Sequence, residues 1–127
     1  MKAITLALLG PLAASAAAAP AGACLNAPGT MHAGSLAVTP VPSPIPMGKP
    51  FALQIVPCNA APERLTVDAV MPAHRHGMNY HPKVIKTKNG FRAEGLLFHM
   101  PGEWEFVFDL RFMDGRSERI THRIVVK

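Results

Sequence analysis

Apolar residues recur at every second position through most of this chain, the period of a strand with one buried face. The longest run is Trp104-Glu105-Phe106-Val107-Phe108-Asp109-Leu110-Arg111-Phe112, in which five large apolar side chains point one way. Burying that face contributes on the order of 10 kcal/mol, at about 1.5–3 kcal/mol per large side chain. It is therefore core. Leu36-Ala37-Val38-Thr39, Phe51 to Val56, Leu65 to Met71, Lys83 to Lys86, Phe91 to Phe98 and Arg119 to Val126 read as further strands. Asn89-Gly90 and Asp114-Gly115 mark hairpin turns, because these pairs accept the positive φ that tight turns require. Pro40, Pro42, Pro44 and Pro46 lack the N–H that a central ladder uses, so that stretch is expected to be an extended connection or an edge. Seven short strands with regular turn signals predict an all-β fold, an immunoglobulin-like antiparallel β-sandwich.

The first two dozen residues follow a different rule. Met1-Lys2 is a positive n-region, Ala3 to Leu12 an apolar h-region, and Ala13 to Ala19 a run of small residues suited to signal peptidase. The expected organisation is a signal peptide over 1–23, cleaved between 18 and 23, and one β-sandwich domain over 24–127. No integral membrane segment remains after cleavage, so the domain is expected to be exported and periplasmic. Cys24 and Cys58 are the only cysteines, and in an oxidising compartment two cysteines most simply pair. The loop so closed, about 34 residues, is worth about 3–4 kcal/mol in the chain-entropy view. A lipid anchor on Cys24 is the weaker alternative, because the leucine usual three residues upstream is missing.

Charge narrows the partners. The net charge is +5, but Lys83, Lys86, Lys88, Arg92, Arg111, Arg116, Arg119 and Arg123 are spread among strand positions. Without a dense basic block or interleaved exposed aromatics, nucleic-acid binding gains no support.

The chemistry is concentrated in Met71-Pro72-Ala73-His74-Arg75-His76-Gly77-Met78, with His81 three residues on and His99-Met100 later. Imidazole with thioether suits copper, since the soft sulfur favours Cu(I) and the imidazole serves Cu(I) and Cu(II) alike. Zinc would accept the histidines and gain nothing from methionine. If the backbone is extended, His74, His76 and Met78 share one side. In a sandwich, connections from odd to even strands emerge at one end. That places this loop, the His99-Met100 loop and Met47 together. The candidate metal ligands are His74, His76, Met78, His99, His81 and Met100, with copper as cofactor, Cu(I) favoured. Met71 falls on a core face, His122 shares the face of Ile120 and Ile124, and Met31 and His32 are expected at the opposite end. The competing reading is a histidine-rich exposed turn that binds nothing.

The segment Met71 to Met78, together with Gly95-Leu96-Leu97-Phe98-His99-Met100-Pro101-Gly102-Glu103-Trp104, resembles the YtkA-like domain family. That family's pattern has an "MPxHxHGM" segment followed by a "GLxFxMPGxW" segment entering a long strand. The resemblance covers most of the chain after the leader, in order and spacing. It implies a small exported immunoglobulin-like domain, with some members linked to copper handling and cytochrome oxidase assembly. By matching position it implies His74, His76, Met78 and His99 as site residues, with Met71 and Met100 in the motif. The expected function is a periplasmic Cu(I) carrier or metallochaperone whose partner is an acceptor protein in copper delivery or oxidase assembly. The alternative is a structural or interaction domain, an accessory subunit of an envelope complex. No catalytic residue is assigned, because the carboxylates Asp68, Asp109, Asp114, Glu94 and Glu105 keep away from both histidine loops and only Glu103 comes near.

Overall fold

A computed structural model describes residues 27–127, together with Cys24 and the isolated positions Ala3, Ala7, Gly10 and Pro11. The expected signal peptide otherwise lies outside the described residues. Nine strands form among the described residues: β1 (Met31–Ala33), β2 (Leu36–Val41), β3 (Phe51–Pro57), β4 (Arg64–Met71), β5 (His76–Gly77), β6 (Lys83–Lys86), β7 (Phe91–Leu96), β8 (Gly102–Arg111) and β9 (Ser117–Val126). One sheet has the order β1-β2-β3-β7-β6 and the other β5-β4-β8-β9, with every strand pair antiparallel. With the short β1 and β5 set aside, these are the two sheets of a constant-type immunoglobulin sandwich.

All seven strands expected from alternation are present. The two additions are three and two residues long, too short to display a period. Pro40 lies inside β2, opposite Leu53, rather than in a connection. The sheet tolerates it because the β1 ladder ends at Met31, opposite Val38, so Pro40 has no strand partner on the far side of β2 and its missing donor breaks no ladder bond. Met31 and His32 belong to this edge strand and not to a distal loop.

The inner faces meet where the alternation places them. Trp104, Phe106 and Phe108 on β8 are fully buried against Leu53 and Ile55 of β3 and against Leu36, Val38, Leu96 and Phe98. No buried side-chain nitrogen or oxygen among the described residues lacks a hydrogen-bond partner. The outer face of β8 and β9 is ionic. Arg119 grips Asp109 with two bonds of 2.7 and 3.1 Å, and Arg123 reaches Glu105 at 3.0 Å and Glu103 at 2.9 Å. Asp109 faces Arg119 and Glu105 faces Arg123 across the ladder, so these pairs reinforce register more than stability. The Asp109 hydrogen bond, then its charge, holds the Arg119 guanidinium above its ordinary pKa.

Cys24 and Cys58 are disulfide-bonded, with Cα atoms 5.4 Å apart and a sequence separation of 34. The bridge consumes the Cys24 sulfur that a lipid thioether would need. It lies just beyond β3, at the end of the sandwich opposite the β4–β5 turn. A disulfide belongs to an oxidising compartment, and no helix among the described residues is long and apolar enough to cross a membrane.

Phe108→Asp tests this core directly. An unpaired carboxylate on that fully buried face costs several kcal/mol, comparable with the whole stability of a small domain. The expected outcome is insoluble protein, or protein with no cooperative transition in a urea melt followed by circular dichroism.

Candidate functional site

At the top of β4 the chain reverses within four residues. The His74 N–H donates to the Met71 carbonyl at 3.1 Å, closing a β-turn with Pro72 at its second position, where a fixed φ is favourable. Arg75 then takes a φ of 52°, a left-handed conformation that costs a non-glycine residue about 1–2 kcal/mol. That excursion returns the chain as β5, with His76 opposite Met71 and Gly77 opposite Val70. The Met78 N–H continues the pairing onto the Ala69 carbonyl at 3.3 Å. The expected extended strip from His74 to Met78 is thus not what forms, because His74 is a turn residue.

The turn nevertheless brings the imidazoles together. Residues directly opposite in an antiparallel pair share a face. His76 therefore sits half-buried on the inner face beside Met71, at the mouth of the sandwich. The His74 ring stacks on it with centres 5.6 Å apart and planes 27° apart.

The second loop is fixed from beneath. Phe98 is fully buried and stacks on Trp104, with ring centres 4.5 Å apart. The Trp104 indole N–H donates to the Met100 carbonyl at 3.0 Å, which clamps the intervening turn. Gly102 has a φ of 131°, and a Cβ there would lie 2.9 Å from the Met71 terminal methyl, so glycine lets this turn close over β4. With Phe98 pointing inward, His99 points outward. Its ring lies 5.5 Å from His76 and meets Trp104 edge-on at 5.6 Å. The β2–β3 connection joins the same end: Met47 bridges Phe98, and the Gly48 N–H donates to the Phe98 carbonyl at 2.8 Å. Three connections converge here, as alternation of the strands implies.

His74, His76 and His99 form a row in which His76 is common to both contacts. Met78 and Met100 are half-buried and pack on the rim of the core. His81 is exposed just past the bend at Asn79-Tyr80, outside the ring contacts of the row. Met71 is fully buried core. His122 is half-buried on β9 opposite Phe106. Glu103 turns to the outer face and pairs with Arg123, so it supplies nothing to the histidines.

Among the described residues, no three His, Cys, Asp or Glu side chains are grouped to hold one metal ion. The neighbouring imidazole pairs match only the ring spacing of two ligands on one ion. Nitrogen–metal bonds of about 2 Å separate the centres of two imidazoles on one ion by about 5–6 Å, and both neighbouring pairs have that spacing. The His76 Nδ1 lies 3.4 Å from the Gly77 carbonyl oxygen. With its proton there, Nε2 is left as the metal donor.

Trp104 contributes more than the core position its alternation assigns. Its edge contacts His76 at 6.4 Å as well as His99, and its N–H sets the Met100 turn. The signal is its place at the start of the longest alternating run, shortly after His99. No family model, curated protein or solved structure matches this chain.

Trp104→Phe should lower stability by about 2–3 kcal/mol, from lost volume and a stranded Met100 carbonyl. Urea denaturation measures the loss, and a change below about 0.5 kcal/mol would mean that the indole bond holds nothing in place.

Proposed function

We propose that this protein is a periplasmic copper carrier that binds Cu(I) through histidine and methionine at one end of the sandwich and surrenders it to an acceptor protein. The observation that carries this reading is the row of three imidazoles, drawn from two loops into contacts of 5.5 and 5.6 Å, with two methionines at its margin. Donors of that kind select a soft or borderline ion, and the lack of a carboxylate at the row disfavours hard cations. Exposure suits transfer. His74 and His99 are open to solvent, so an acceptor's ligands can replace them one at a time. The resemblance of Met71 to Met78 and of Gly95 to Trp104 to the YtkA-like pattern supports the same reading, including delivery toward oxidase assembly.

Anaerobic Cu(I) titration against a competing chelator tests it. The double variant His74→Ala/His76→Ala should bind at least about 100-fold more weakly than wild type, a loss at or beyond that seen when outer-shell partners of a metal site are removed. The control His32→Ala/His122→Ala, on β1 and β9, should bind as wild type does. Wild-type affinity no tighter than micromolar would favour the alternative of an interaction domain without metal.

Met78→Leu separates softness from packing, since it keeps volume while removing sulfur. Cu(I) affinity should fall about tenfold, equivalent to about 1.4 kcal/mol, while Cu(II) binding through the imidazoles is unchanged. Equal losses for both ions would assign Met78 to packing alone.

A further inference from the structure

We infer that the histidine row provides two alternative two-imidazole seats for a single ion, one between His74 and His76 and one between His76 and His99, with His76 common to both. The inference rests on the copper reading and goes beyond it to how the ion is held and passed. Three observations carry it. Each neighbouring pair of rings has the spacing of two ligands on one ion, 5.6 Å and 5.5 Å. No three His, Cys, Asp or Glu groups among the described residues are gathered into one site. The central ring is also the anchored one: His76 is half-buried, held in β5 by the ladder with β4, and touches Trp104. His74 and His99 are exposed.

The two seats differ in surroundings. Both imidazoles of the His76–His99 seat lie against Trp104, and Met100 adjoins His99 on the rim of the core. The His74–His76 seat stands farther out, on a solvent-exposed turn. Passage between them is a ligand exchange in which His76 keeps its bond, one bond to His74 breaks and one to His99 forms. Charge and oxidation state do not change. Two-coordinate binding suits Cu(I), and the retained His76 bond means that the ion is never released during the exchange. A carrier built this way can hold its cargo inward and offer it outward through a single ring's replacement.

The test is Cu(I) titration with a competing chelator on His74→Ala, His76→Ala, His99→Ala and the double variant His74→Ala/His99→Ala. His76→Gln, closer in size, accompanies His76→Ala so that at least one variant with a cooperative melt carries the comparison. Wild type should bind one equivalent. Each end variant should still bind one equivalent with a loss of about tenfold or less, whereas the His76 variants and the double variant should both lose about 100-fold or more. The Trp104 indole resonance in a ¹⁵N–¹H spectrum should shift more on Cu(I) addition to His74→Ala than to His99→Ala. Equal losses for all three single variants would mean one three-histidine site and overturn the inference while sparing the copper reading. A loss in one end variant as large as in the His76 variants would mean one fixed pair, with the same consequence. Wild type that binds no Cu(I) would remove the copper reading itself, and the two seats with it.

Discussion

A single indole governs the end of this molecule. Trp104 is fully buried, so its N–H must be satisfied inside the protein, and the Met100 carbonyl is the group within reach. That bond spans the turn between the sheets and fixes where His99 emerges. The same indole stacks on Phe98, whose backbone carries the bridge to Met47 and the bond from Gly48. Two of the three connections at this end are therefore tied to one side chain. The third, the β4–β5 turn, rests its His76 against the same ring. Hydrophobic burial sets the position of the indole, and one hydrogen bond converts that position into the geometry of the surface above it.

The strands were legible because alternation is a statement about burial. Trp104 to Leu110 alternate in sequence, and the same residues alternate between buried and half-exposed in the structure. The convergence of the histidine loops was legible for a topological reason, since successive connections of a sandwich change ends. The local path of the first loop was not. Pro72 at the second position of a turn is a readable signal, but the left-handed residue is Arg75, a type that gives no hint of that conformation. Asparagine or glycine there would have announced the reversal. The sequence instead reads as an extended strip, whereas the reversal at Arg75 is what brings His74 beside His76.

The strands β1 and β5 illustrate a second limit. Each is defined by its neighbour: β1 exists because β2 offers an edge, and β5 because the turn at 72–75 folds back on β4. Neither carries enough residues to state a period of its own. Pro40 shows the converse. Its chemistry excludes a ladder with strands on both sides, and the fold obeys by stopping β1 short of it. The rule held locally even though the residue is a strand residue.

Both cysteines of the chain are spent on one bridge, far from the histidines, and this has a bearing on chemical durability. Thiolates are the strongest soft ligands a protein owns, but in an oxidising compartment they tend to end as disulfides, as Cys24 and Cys58 have. A thioether has no such exit, because its sulfur carries two carbons and cannot couple to another. What remains open to Met78 and Met100 is oxygen transfer to the sulfoxide, which is reversible by reductases. Their half-buried placement on the rim of the core limits access of oxidants to the sulfur. The fold thus keeps its soft atoms in the one form that outlasts the environment in which its own disulfide is made.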